Sequence, residues 1–342
     1  MGATGAVGQT FVRLLAGHPW FELAEVAASE RSAGQRYGDV VRWLEGTLPA
    51  SAAGLEVLPC DPSAVCARVV FSALDTSAAG EIEPAFARAG ALVFSNAKNF
   101  RMDADVPLVI PEVNASHLDV LAVQRKRRGW AGGIVTNANC AATVAALAMA
   151  PLQAAFGIER AFVTTMQAVS GAGYPGVASL DILGNVIPFI GDEEPKIERE
   201  LPRMLGRFDA GMLQPAPLRV SAQANRVAVE HGHTVCLSLG FDRRVSADEC
   251  IATYEAWSAP EEVRGLPSSP ARALVIADGP DRPQPRRDVM TGAGMSVLVG
   301  RIRPDPILDV RLVALGHNTI RGAAGGSLLN AELLAARGWL PA

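Results

Sequence analysis

An α/β fold in two domains is what this sequence predicts: a parallel-sheet domain with a ligand crevice at its strand ends, then an α+β domain. Three observations predict it. Two short apolar runs, 69–74 and 91–96, end in small polar residues and flank a helical pattern at 78–88, the order of a parallel strand–helix–strand unit. The chain opens on Gly2-Ala3-Thr4-Gly5-Ala6-Val7-Gly8, a glycine-rich loop leading into a helix. After Pro151 the composition shifts to longer strands with β-branched residues. A chain of 342 residues, 49% of them apolar, can fill two cores.

Glycines at 2, 5 and 8 suit a tight turn, close approach of a pyrophosphate to backbone N–H groups, and close helix packing. Gly2, Thr4, Gly5, Ala6 and Val7 are the candidate cradle, and Phe11, Val12, Leu14 and Leu15 pattern the helix behind it. Such a loop belongs after a buried central strand, yet Met1 stands where the end of that strand is due. The expectation is of a start placed inside the domain rather than a domain that does without its first strand. Residues 23–28 read as the next strand, ending in Ser29-Glu30-Arg31-Ser32. An acidic residue at that strand end binds a ribose 2′-hydroxyl, whereas Ser29, Arg31 and Ser32 suit a 2′-phosphate, so the cofactor predicted is NADP. Ser72 and Asn96, at the ends of their strands, are expected to line the cofactor crevice.

Residues 106–110 read as a further strand, 124–128 as a solvated basic helix end, and 141–150 as an alanine-rich helix closing at Pro151. Beyond it come a strand at 161–168, a turn-rich loop at 170–176, and strands at 218–229, 234–240 and 307–315, predicting an antiparallel sheet. Helices are expected at 247–258 and 319–337, the last packing back on the first domain.

A net charge of −4 with no long basic run argues against nucleic acid as the main partner. No window of eighteen apolar residues and no secretory signal is present, so neither a membrane partner nor export is expected. The five cysteines are scattered without a zinc spacing, which predicts no metal and a reduced, cytoplasmic protein.

One cysteine stands apart. Gly133-Ile134-Val135 leads into Thr136-Asn137-Ala138-Asn139-Cys140, and Asn139 is a good N-cap, so Cys140 is expected in the first turn of a helix. There the free N–H groups and the helix dipole favour a thiolate over a thiol whose ordinary pKa is about 8.5.

Taken with Gly2–Gly8, Ala28–Gly38, Ser95–Arg101, Val109–Asn114, Gln167–Gly176, Asn185–Glu198, Asn225–His233 and His317–Gly325, the Asn137–Cys140 motif resembles aspartate-semialdehyde dehydrogenases of the archaeal and fungal branch over essentially the full length. The resemblance implies a Rossmann-type nucleotide-binding domain, here without its first strand, at 1–136 and 319–342. It also implies an α+β, glyceraldehyde-phosphate-dehydrogenase-like catalytic domain at 137–318, in a homodimer or homotetramer. The implied activity is NADPH-dependent reductive dephosphorylation of L-aspartyl 4-phosphate to aspartate 4-semialdehyde.

Residue by residue, the resemblance implies Cys140 as the nucleophile that becomes a thioester, His233 as acid/base and Gln167 as holder of the acyl group. Arg226 matches the clamp on the substrate carboxylate, and Glu194 is assigned the ammonium. Arg101, Asn139 and Lys196 match the phosphate site, Asn318 the residue bonding the nicotinamide amide, and Gly171 the backbone beside that ring. Departures are His231 in place of an aspartate, Ala138 and Ala141, the run Ser221–Ala228, and Lys98 and Phe100 in the phosphate-side loop. They leave room for a changed substrate. Malonyl-CoA reduction by the same thioester chemistry is the enzyme alternative, with N-acetyl-glutamyl-phosphate reduction more distant. A non-catalytic NADP-binding paralogue is the alternative of another class.

Overall fold

The computed structural model describes residues 1–340; the last two residues of the 319–342 segment lie outside the described residues. Short parallel strands build the first half. β1 (Val26–Ala28) pairs with β2 (Val57–Pro59), and β3 (Val69–Ser72), β4 (Leu92–Ser95) and β5 (Gly133–Thr136) form a parallel three-stranded sheet. The Thr76–Arg88 helix connects β3 to β4, as the apolar spacing predicts.

Residues 1–3 join the two sheets. The Met1 amino group donates to Phe71 O at 2.7 Å, Ala73 N donates to Met1 O at 3.0 Å, and Ala3 N donates to Ala27 O at 3.0 Å. They fill only one end of the position between β1 and β3. Beside them an apolar cavity of about 110 Å³ is lined by Phe11, Val26, Val69 and Phe71.

The second half is built on longer strands: β6 (Ile158–Gln167), the small hairpin β7 (Arg207–Asp209) and β8 (Met212–Gln214), β9 (Arg219–Arg226), β10 (His233–Phe241), β11 (Leu274–Ile276), β12 (Val297–Pro304) and β13 (Val310–Gly316). Outside the hairpin they form one six-stranded sheet in the order β11-β12-β13-β10-β6-β9. It is mixed rather than antiparallel, because β6–β9 and β11–β12 pair in parallel at its two edges. The Cys140–Phe156 helix covers one face, and its alanines, with Leu147, Met149 and Leu152, pack on Val163, Val235, Leu237 and Leu312. Small side chains let helix and sheet approach closely, which is why this segment reads as alanine-rich.

Three sequence expectations change here. The helix runs through Pro151 to Phe156 instead of closing there, since Pro151 is buried in a segment held by core packing on both sides. Residues 106–110 are buried but form only a bridge between Leu108 and Thr136, because Pro107 within the segment and Pro111 just after it supply no ladder donors. The closing segment begins as a π-turn at Ile320–Ala324 before the Gly325–Ala336 helix, whose Leu329, Leu333 and Leu334 share a core with Leu92, Phe94 and Leu121. That π-turn passes directly behind Cys140. A Cβ on Gly322 would stand 2.6 Å from the Cys140 Cβ, so only glycine permits the approach. Among the described residues no helix is long and apolar enough to cross a membrane.

Candidate active site

Where β5 ends, Asn139 caps the following helix by accepting from Ala142 N at 2.9 Å, and Cys140 takes the first helical position. Opposite it, β10 starts with His233, whose Nε2 lies 3.1 Å from Cys140 Sγ. β6 ends at Gln167 and β9 at Arg226, neighbours in the parallel ladder, so three chain segments deliver Cys140, Gln167 and Arg226 to one cavity edge, with His233 fully buried behind the sulfur. The cavity, of about 470 Å³, also admits Arg101, Asn139, Lys196, Asn96, Gly171 and Asn318.

The pair starts neutral. Burial, with the Glu193 carboxylate second, pushes the Cys140 thiol up to about 12, against smaller opposing effects from Arg101 and Arg226. Burial, then Arg226 and His317, bring His233 down to about 3. The expected thiolate-favouring effect of the helix N-terminus is present but outweighed, because desolvation of a charged sulfur is the larger effect. Ala168 N donates to His233 Nδ1 at 3.1 Å, so the neutral ring carries its proton on Nε2, facing the sulfur.

Around this pair the polar groups hold one another. Gln167 Nε2 and Asn139 Nδ2 both donate to Glu193 Oε1, at 3.0 and 2.6 Å. Arg101 Nη1 donates to Glu200 Oε1 at 2.9 Å and Nη2 to Asn96 O at 2.7 Å, while Asn139 N donates to Glu200 Oε2 at 2.6 Å. Arg226 Nη1 donates to Ala168 O at 2.8 Å. Gly171 packs against two of these side chains: a Cβ there would be 2.9 Å from Arg226 Nη1 and 3.0 Å from His233 Cε1.

Glu194 is not in this cavity. It accepts from Ala224 N at 3.0 Å, on the side of its helix that faces β9. The Glu193–Met204 helix turns about 100° per residue, so Glu193, Lys196 and Glu200 share the face toward Cys140, and Glu194 and Glu198 bond the backbone of β9. Glu193 is the buried carboxylate that lines the cavity. The i, i+3, i+7 spacing of these groups was the signal available in the sequence.

The remaining candidates divide. Asn318 is committed on both sides, its Nδ2 donating to Ser170 Oγ at 2.8 Å and its Oδ1 accepting from Gly232 N at 2.9 Å, which ties the 169–172 turn to the strand that carries His233. Ser72 does not line the crevice: on β3 its side chain alternates inward and is fully buried, leaving its carbonyl to accept from Asn96 N and Nδ2. Gly2, Thr4, Gly5, Ala6 and Val7 form the turn into the Ala6–Leu15 helix, with Gly5 N donating to Gly2 O at 3.1 Å. Ser29, Arg31 and Ser32 sit in a turn at the carboxyl end of β1, Ser29 and Arg31 exposed, outside the cavity. His231 stacks on His317 with ring centroids 5.0 Å apart and bonds Ser170 Oγ at 3.1 Å, so it is not the histidine at the sulfur.

This geometry has known counterparts. Residues 1–121 match the family model of the semialdehyde dehydrogenase NAD binding domain and 149–321 that of the semialdehyde dehydrogenase dimerisation domain. The chain is 50% identical over 335 residues to an aspartate-semialdehyde dehydrogenase of Archaeoglobus fulgidus, covering 98% of this chain and 96% of that protein. The chain belongs to the aspartate-semialdehyde dehydrogenase family. Its Saccharomyces cerevisiae relative is 44% identical, over 98% of this chain and 97% of its own. The crystal structure of the Candida albicans enzyme with NADP superposes with a TM-score of 0.91 at 41% identity, covering 99% of this chain and 98% of the other. A Vibrio cholerae aspartate semialdehyde dehydrogenase II structure complexed with ASA superposes with a TM-score of 0.74 at 28% identity, over 99% and 97% of the two chains.

Proposed function

We propose that this chain is an NADP-dependent, phosphorylating aldehyde dehydrogenase that converts L-aspartyl 4-phosphate to aspartate 4-semialdehyde. The observation that carries the reading is one cavity lined by a thiol, a buried carboxylate, Glu193, and the Arg226 guanidinium, with an imidazole buried 3.1 Å behind the sulfur. A substrate with an ammonium and a carboxylate at one end and an acyl phosphate at the other matches that set. Arg226 takes the carboxylate and Glu193 the ammonium, while Lys196 and Arg101 face the phosphate.

The dinucleotide fits the chain at the glycine-rich turn. Gly5 caps the Ala6–Leu15 helix without a side-chain hydrogen bond, leaving first-turn amides for a pyrophosphate. Val7, Thr76, Asn96, Gly171 and Asn318 line the same cavity as Cys140, a continuous path from that turn to the sulfur. Arg31 with Ser29 and Ser32 supports NADP over NAD at the far end.

Cys140 Sγ attacks the acyl carbon; the C–O bond to phosphate breaks, and the thiol proton leaves on the departing phosphate. Burial is the larger cause of the protonated thiol, but the ammonium on Glu193 cancels the second, so substrate in place lowers the cost of forming the nucleophile. Gln167 and the Nε2–H of His233 donate to the oxygen of the thioester and of the hemithioacetal that follows. Bound NADPH supplies the hydride that takes the thioester to the aldehyde oxidation level. The C–S bond then breaks, and the same Nε2–H stabilises the released thiolate until it is reprotonated from solvent.

We assign residues 1–136 and 319–340 to the nucleotide domain and 137–318 to the catalytic domain. Support for a homodimer or homotetramer comes from the outer face of the six-stranded sheet, where Phe162 is 53% exposed, and from exposed Leu180, Leu183 and Phe189 nearby in the chain. Five free cysteines suit a reducing cytoplasm. The test is direct: purified protein with aspartate semialdehyde, phosphate and NADP forms NADPH. No NADPH there, with NADPH oxidation on malonyl-CoA instead, overturns the reading in favour of the acyl-CoA alternative.

A further inference from the structure

At the end of the cavity away from Arg226, most of the groups facing the leaving phosphate already have partners. The Arg101 guanidinium is bonded to Glu200 and to Asn96 O, and Asn139 to Glu193 and Ala142 N. Lys196 remains, its Nζ 3.5 Å from Glu193 Oε2. A second ammonium stands with it. Lys98, from the loop after β4, lines the same cavity, and its Nζ lies 2.5 Å from Asp192 Oδ2. That oxygen is also 3.9 Å from Lys196 Nζ. One carboxylate oxygen therefore already occupies an anion position between two lysines at the cavity rim.

The holder of that oxygen is poised to give it up. Asp192 sits at φ +62°, left-handed backbone that a non-glycine residue adopts at a cost. The Lys98 and Asp192 side chains are 44% and 41% exposed, so the pair contributes little to stability and exchanges with solvent. It nonetheless bridges the two halves of the molecule, the β4 loop on one side and the Glu193–Met204 helix on the other. A phosphate dianion offers more charge and more acceptor oxygens than a carboxylate.

We propose that Lys98 is a phosphate-binding, specificity-determining residue and that Asp192 is a placeholder anion, displaced when the substrate phosphate enters between Lys98 and Lys196. This rests on the reaction proposed above. Phosphate exchange converts a rim ion pair into a contact that the substrate makes with both halves at once. An acyl donor without a phosphate at that position gains nothing from Lys98.

Steady-state kinetics in the phosphorylating direction test it, with semialdehyde and NADP saturating and inorganic phosphate varied. Lys98→Ala is expected to raise KM for phosphate about tenfold, the lower end for losing a charged hydrogen bond, with KM for semialdehyde and kcat within about twofold. Lys98→Arg restores most of the loss. Asp192→Asn, which keeps a residue suited to positive φ, lowers KM for phosphate, because the competing anion is gone. The proposal is overturned if Lys98→Ala moves both KM values alike, as a structural defect does, or if Asp192→Asn raises KM for phosphate. Calorimetric titration of inorganic phosphate into wild type, Lys98→Ala and Asp192→Asn reads the same ranking without turnover. If the wild type forms no NADPH while that ranking holds, the reaction fails and the anion site stands; if the ranking is absent, the anion site fails whatever the turnover.

Discussion

Around Cys140 the buried polar groups are largely spoken for by other protein groups, whereas Ser29 and Arg31 are exposed, with no side-chain partner among the described residues. The Glu193, Glu200 and Asn139 network fixes the acyl end before substrate arrives, as differential stabilisation of a transition state requires. The end proposed for the 2′-phosphate is a turn in which Arg31 is exposed. The Lys98–Asp192 pair is intermediate, bonded but exchangeable. In the proposed reaction the difference separates groups that set the rate from groups that set which ligand is held.

Substitutions can break that contrast, most severely at the sulfur. Cys140→Ser is expected to cost at least about 10³-fold in kcat while leaving NADPH affinity, read by fluorescence titration, unchanged within twofold. Glu193→Gln is expected to cost about 100-fold in kcat/KM for the amino-acid substrate, the order of a buried charged hydrogen bond, and Glu194→Gln less than about twofold. Equal effects at 193 and 194 would contradict the helix phase described here. Arg31→Ala, at the exposed end, is expected to raise KM for NADPH only a few-fold and to leave KM for NADH unchanged.

Proton equilibria sharpen the same contrast. His117 and His317 are brought down to about 4 and His233 to about 3, all mainly by burial. The folded protein binds fewer protons at these rings than the unfolded chain, whose imidazoles titrate near 6.5. These rings therefore leave stability unaffected above that pH and erode it as pH falls from about 6.5 toward 4, by up to about 1.4 kcal/mol per unit for each ring. Denaturant midpoints at pH 7 and pH 5 check this. By the same values kcat/KM shows no His233 inflection near pH 6.5, whereas an ordinary catalytic imidazole would produce one.

Much of the catalytic edge was legible because its signals are local. Asn139 before an alanine run announces a capped helix with Cys140 in its first turn, and apolar runs ending in Ser72, Ser95 and Thr136 announce parallel strands. What stayed hidden depends on phase or on long-range packing. Whether residue 193 or 194 faces the sulfur is a matter of about 100° of helical rotation, which adjacent glutamates do not reveal until the helix is placed. Ser72 sits at the right strand end but points inward. Pro107 and Pro111 remove a strand that hydrophobicity alone suggests, and the buried setting of Pro151 keeps a helix that proline alone would close. The burial that turns Cys140 from an activated thiolate into a resting thiol comes from segments as distant in sequence as Gly322.

The proposed reaction requires an acyl group carried by one sulfur. Mixing the protein with aspartate semialdehyde and NADP without phosphate, quenching in acid and digesting for mass spectrometry measures that directly. The expected result is a burst of NADPH of about one per active site with an aspartyl group on the peptide carrying Cys140, and neither in Cys140→Ser. A burst with that peptide unmodified, or an aspartyl group on another residue, would contradict it.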